Sequence, residues 1–184
     1  MPQDSIGVLS NLFADLLAYP TPDTPHQALE CLAQIQALHP AAASSLESFS
    51  ARLEKLSLEQ IQELYTITFD LQPVCYPYIG YQLFGESYKR GAFMAQLNEA
   101  YHLSGYSAGL ELPDHLSVIL RFLGLDSAKR EDDFSSALLA EGLVPALEKM
   151  LHTFTQHSEN PYFDLLSALH LVLVQIPQEE MRHA

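Results

Sequence analysis

Several spacings in this chain match patterns that carry chemistry. Gly105-Tyr-Ser-Ala-Gly109 has the G-x-S-x-G spacing of a serine nucleophile. That chemistry needs the serine on a sharp strand-to-helix turn at the top of a parallel sheet. Here a helical pattern precedes it, a loop follows and no sheet is predicted, so the two glycines read as a helix stop and a flexible connection. Glu99-Ala-Tyr-His102 and Glu180-Met-Arg-His183 each have the E-x-x-H spacing that di-iron bundles use in pairs, with two further inward glutamates. The second copy lies beyond Pro177, where a chain end usually frays. His170, on an apolar stripe, reads as a core histidine. Cys31 and Cys75 stand far apart with no C-x-x-C, which excludes a zinc ribbon and a disulfide framework. There is no P-loop, GxGxxG, HExxH or calcium loop. No catalytic residue, metal site or cofactor is expected, and the chain reads as a binder, not an enzyme.

Two stretches have the composition of a recognition surface. Tyr76-Pro-Tyr-Ile-Gly-Tyr-Gln-Leu-Phe-Gly85 holds three tyrosines and a phenylalanine. Such side chains bury much area at small entropic cost at an interface, and they fill core gaps equally well. In Glu111-Leu-Pro-Asp-His-Leu116, Pro113 is expected to open a helix, with Asp114 in its first turn, where the dipole favours an anion. Asp114 and His115 then either cap that helix or display an acid and a titratable donor at a loop edge, able to grip a peptide guanidinium or backbone.

The elements that must position these residues are helical throughout. Leu9, Leu12, Phe13, Leu16 and Leu17 follow the i, i+3, i+4 rhythm of one buried face. Thr24 with Gln27, Ser44 with Glu47 and Ser57 with Gln60 have the capping-box spacing. Their expected faces are Leu29, Leu32, Ala33 and Gln36; Leu46, Phe49, Leu53 and Leu56; and Ile61, Leu64, Tyr65 and Thr68. Residues 73–85 are expected to be a loop with one short helix. Phe93, Leu97, Ala100, Tyr101 and Ser104 mark the next helix, with Gly105 as its C′ residue. Leu116, Ile119, Leu120 and Leu123 follow, with Gly124 as the stop. Phe134 to Phe154 predicts a helix bent at Gly142 and Pro145. Asn160-Pro161 caps a last helix, carrying Leu166, Leu169, His170 and Leu173 and ending at Pro177. No segment alternates as a strand. The expected fold is all-α, a single domain of roughly seven to nine helices over residues 1–176, with 177–184 as a flexible tail.

The chain has 184 residues, 9 basic against 23 acidic, and a formal net charge of −14. An acidic balance argues against a phosphate-backbone binder, hence no nucleic acid, and for a basic partner or plain solubility. Residues 1–51 and 56–88 contain no Lys or Arg. The N-terminal MPQDSIGVLS has no basic residue before its apolar run, so no signal peptide is expected. The most apolar stretch, Phe163 to Ile176, is too short for a bilayer span and carries Asp164 and His170. The expected setting is the cytoplasm.

Tyr65-Thr-Ile-Thr-Phe-Asp-Leu71, Tyr81-Gln-Leu-Phe-Gly85, Lys89-Arg-Gly91 and Glu111-Leu-Pro-Asp-His-Leu116, with Leu-Arg-Phe-Leu123 downstream, resemble the molybdoenzyme-specific chaperones of the NarJ, TorD and DmsD kind. The tyrosine-rich and Thr-Phe-Asp parts lean toward the nitrate reductase branch. The resemblance implies a TorD-like all-α fold. It also implies a chaperone that binds the N-terminal, often twin-arginine-like, peptide of an apo molybdoenzyme catalytic subunit until the molybdenum cofactor is inserted. The family's peptide-contacting positions carry over to Tyr81, Leu83, Phe84, Pro113, Asp114 and His115, with Tyr81 one residue out of the TorD-like spacing. Arg121 stands where a glutamate is common. Two rival readings are a structural subunit of a respiratory oxidoreductase and a helical di-iron enzyme. A monomer or a homodimer is compatible with either the resemblance or the composition.

Overall fold

A computed structural model describes residues 5–126 and 132–182, with side chains for 6–126 and 133–176. Its elements are α1 (Ser5–Leu16), α2 (Thr24–Ile35), α3 (Pro40–Leu53), α4 (Leu58–Phe69), α5 (Ile79–Phe84), α6 (Tyr88–Leu103), α7 (Leu116–Leu123), α8 (Asp132–Ala137), α9 (Val144–Thr153) and α10 (Pro161–Arg182). A π-helical turn, Leu138–Leu143, joins α8 to α9 without a break, so the ten segments form nine rods among the described residues. No strand occurs among them; one isolated antiparallel bridge pairs Tyr78 with His115. The fold is all-α, as the periodicity predicts.

α10 lies against α3 and α9, α1 against α2 and α7, and α2 against α3. The seams are the apolar stripes of these helices. Phe13 and Leu16 of α1, Leu46 and Phe49 of α3, Ile119 and Phe122 of α7, and Leu165, Leu166 and Leu169 of α10 are all fully buried. A cluster of Phe49, Tyr65, Phe69 and Tyr162, with ring centroids 4.9–5.9 Å apart, fastens α4 to α3 and α10. The Thr-Phe-Asp block therefore serves the scaffold: Thr68 also takes a hydrogen bond from Asn160 at 2.8 Å. Asn160 in turn caps α10 by accepting from the Tyr162 N–H at 3.0 Å.

Local chemistry explains where these helices start and stop. Ser57 and Gln60 form the expected reciprocal capping box on α4. The two other expected boxes do not form. Asp23, not Thr24, precedes α2, and the Thr24 hydroxyl accepts from the Thr21 N–H at 2.9 Å. Pro40 starts α3 a turn early, so Ser44 and Glu47 sit inside it. The buried face of α2 is Thr24, Ala28, Cys31 and Ile35, while Leu29 stays half exposed. The small Ala28 and Cys31 let α2 sit close to its neighbours. Gly105 (φ 65°) ends α6 in a Schellman motif: Tyr106 N–H donates to Tyr101 O and Gly105 N–H to His102 O. Pro145 has no N–H for the usual bond, and the chain answers with the π turn, where Val144 N–H reaches back to Leu139 O. The π turn falls where the bend is expected, at Gly142 and Pro145. Gly124 ends α7 at an ordinary φ of −76°, and its role is space: Asn11 of α1 lies where a Cβ would be and donates to Gly124 O at 2.9 Å. α10 passes through Pro177 to Arg182 instead of stopping there.

Candidate functional site

Helix α5 is six residues long and sits on α6, α9 and the π turn. It is held by a two-bond clamp to the loop before α7. Ile79 N–H donates to Asp114 O, and Leu116 N–H donates to Pro77 O, both at 2.8 Å. The aromatic run and the Glu111–Leu116 block, separated in sequence by α6 and the loop after it, are thereby one structure.

Pro113 does not open α7. The helix begins at Leu116 and its N-cap is His115, whose Nδ1 accepts from the Ser117 N–H at 3.2 Å. Tyr101 Oη donates to the Pro113 carbonyl at 2.7 Å and pins the turn. Asp114 thus lies one residue before the cap. It is fully buried and faces Arg90, from the first turn of α6. Arg90 Nε and Nη2 donate to the two carboxylate oxygens at 2.8 and 3.3 Å. Such forked pairing is the strong form of an ion pair. It makes the Arg90 guanidinium hold its proton more firmly than usual.

The guanidinium is also stacked. Its carbon lies 5.3 Å from the Tyr78 ring centroid and 5.9 Å from that of Tyr81, both within cation–π range. Tyr78 meets the His115 ring edge-on at 5.3 Å and reaches Glu111 with its hydroxyl at 3.4 Å. Tyr81 packs on Tyr76 at 4.5 Å. Burial and Glu111 push the Tyr78 phenol above its ordinary pKa, so that ring stays neutral. Gly80 makes the arrangement possible. A Cβ there would stand 2.7 Å from Asp114 Oδ2 and 3.0 Å from Arg90 Cγ and Phe93 Cδ1.

The six residues singled out in the sequence fall on two connected parts. Tyr81, Asp114 and His115 belong to this arginine cage, and Pro113, whose carbonyl accepts from Tyr101, lies in the turn beside it. Leu83 is half-buried against the core. Phe84 is 38% exposed and lies edge-on to Phe93 at 5.8 Å, which makes it the apolar lip of the site. Sequence reasoning missed the roles of Tyr78, Gly80, Arg90 and Glu111, although all four lie in the quoted blocks. Arg121 forms an ion pair with Asp15 of α1 at 2.9 Å.

The other motifs sit elsewhere. Ser107 lies on the α6–α7 loop between two helices, its hydroxyl accepting from the Gly109 N–H at 3.1 Å. Glu99 and His102 are exposed on α6. The side chains of the second E-x-x-H lie outside the described residues. Cys31 and Cys75 are buried free thiols, pushed up to about 12 by desolvation, so both are held as unreactive thiols.

The family model for the nitrate reductase delta subunit matches residues 32–168, which include the whole cage. The chain belongs to the nitrate reductase delta subunit family. The resemblance drawn from the motif blocks, and its lean toward the nitrate reductase branch, therefore stands. No curated protein sequence matches the chain. In fold it is similar to the crystal structure of a protein from Archaeoglobus fulgidus assigned as a redox enzyme maturation protein. That match has a TM-score of 0.63 at 22% identity, and covers 94% of this chain and 96% of the other. No described helix of this delta-family chain is long and apolar enough to cross a membrane.

Proposed function

We propose that this protein is a cytoplasmic maturation chaperone, without catalytic activity of its own, for a molybdenum-containing catalytic subunit of the nitrate reductase type. It binds the N-terminal, arginine-bearing peptide of the apo subunit and holds that subunit until the cofactor is inserted. The observation that carries the reading is the cage of Asp114, Tyr78 and Tyr81, which already grips one guanidinium, beside the exposed Phe84. A peptide arginine takes the place of Arg90 by exchanging one forked pair for another. The exchange leaves no buried carboxylate unpaired, so its net cost is small. Arg90 sits in the first turn of a helix whose main neighbour is the short α5, so the element that must yield is lightly held. Leu83 and Phe84 then receive the apolar part of the peptide. The peptide loses conformational freedom on binding, which keeps affinity moderate and release easy.

Titration of the full chain with a synthetic client N-terminus, followed by calorimetry, tests this. Asp114→Asn keeps the shape but loses the charge-assisted bond, and should weaken binding roughly 10- to 100-fold. Arg90→Ala removes the internal competitor and should tighten it by a similar factor. Equal affinities for the wild type and both folded variants would move the cage from the binding site to the scaffold. The family's own description, a subunit, favours one second reading: a permanent component of the oxidoreductase. Purified active enzyme that retains this chain at one copy per catalytic subunit would establish it.

A further inference from the structure

A second concavity lies on another face, between the end of α3, the outer side of α4 and the start of α10. It is an open groove of about 480 Å³, within the range of ligand sites. Leu56, Leu64 and Ile67 line its floor, and Ile67 is 51% exposed. Arg52 and Lys55 stand on its rim, with Glu63 as the one acid of the lining. These two cations are the only Lys or Arg in the first 88 residues of a chain of net charge −14, and both face this groove. Arg52 is fixed there: its Nη1 donates to Glu159 O at 2.8 Å and stands 3.7 Å from Asp164, which Ser48 also holds. Lys55 has no carboxylate within ion-pair distance among the described residues.

We propose that this groove is a second binding site, for a segment of a partner polypeptide that presents aliphatic side chains beside a carboxylate. Its polarity is opposite to that of the arginine cage, so one peptide chemistry does not suit both. The aliphatic floor accounts for an exposed isoleucine on a helix whose other face is buried, and the rim accounts for the placement of the cations. The open shape suits an amphipathic helix laid in a groove, recognised by its apolar face.

The probe is a short capped peptide with leucine on one helical face and glutamate along its edge, together with a glutamine-edged twin. Each is titrated into the methyl-labelled full chain and followed by NMR. The glutamate peptide should shift the methyls of Leu56, Leu64 and Ile67. The glutamine twin should bind roughly 2- to 30-fold more weakly, the worth of two exposed ion pairs. Lys55→Glu should cause a comparable loss without weakening the basic client peptide's binding, and Ile67→Asp should abolish the shifts. Equal binding of the twins, or shifts confined to other methyls, would sink the proposal. Dodecanoate moving the same methyls at lower concentration than the peptide would give the groove to a small amphiphile instead. Self-association lost in Lys55→Glu would give it to a second copy, and either result overturns the peptide reading.

Discussion

His115 joins two demands that favour one protonation state. As N-cap of α7 it must accept through Nδ1, which lies 3.2 Å from the Ser117 N and 2.8 Å from its Oγ. Burial pushes the imidazole below its ordinary 6.5, against the opposing pull of Glu111 and Asp114. The folded state therefore holds the neutral ring, whereas the unfolded chain takes up a proton near the ordinary value. The stability tied to this residue is present above about pH 6.5 and is lost as the pH falls through that value toward the lower folded pKa. His115→Asn keeps a capping oxygen and removes the titration. Unfolding midpoints measured at about pH 7.5 and about pH 5.5 should differ less for the variant than for the wild type. An unchanged difference would take the acid sensitivity away from His115. Legibility also ends at this scale. A capping role at the Asp114-His115 pair was readable, because caps are local. That Asp114 is fully buried was not, because its partner is Arg90, 24 residues away on helix α6.

Two glycines give a sharper test of how helices α5 and α6 meet. Gly80 faces Asp114, Arg90 and Phe93 at 2.7–3.0 Å from where a Cβ would stand. Gly80→Ala must push α5 off the clamp or spread the ion pair, an overpacking that costs about 1–3 kcal/mol. Gly91 lies on the exposed side of α6 with nothing within 4 Å. Gly91→Ala should stabilise by about 0.5–1 kcal/mol, because a helical glycine gives up more backbone freedom on folding than alanine. For a chain of this length each kcal/mol moves Tm by about 2–4 °C. The two variants should therefore shift in opposite directions in one thermal scan, and shifts of the same sign would contradict the packing described. Elements were legible where periodicity or a cap set them: α1, α4, α6 and α10 bury the expected faces. They were misread where a proline overrode the cap signal. Pro40 moved the start of α3, so Ser44 and Glu47 fall inside the helix. On α2 the expected Leu29 face lost to a stripe of small residues, since close approach to α1 and α3 favours Ala28 and Cys31 over leucine.

For the whole molecule the dominant quantity is the charge of −14, spread so that residues 1–51 and 56–88 hold carboxylates and no Lys or Arg. Such a field does not create the arginine cage, whose contacts are short and dry. It acts on approach. On the proposed function, a cationic leader peptide should be drawn toward this net negative charge over distances comparable to the Debye length, about 10 Å at 0.1 M salt. Association should therefore slow as salt is added, while dissociation, set by the cage and the Phe84 lip, should change little. The reverse holds for the groove edged by Arg52 and Lys55. An acidic probe must approach against the net field, so added salt should speed its association until screening weakens the rim contacts themselves. Stopped-flow measurements of both peptides across about 0.02–0.5 M salt, on the same protein, place the two trends side by side. Opposite signs in the association rates would show a chain that draws in one class of peptide from a distance and takes the other only on contact. If both rates fall together, long-range charge does not separate the two sites, and the distribution of acids along the chain serves solubility alone.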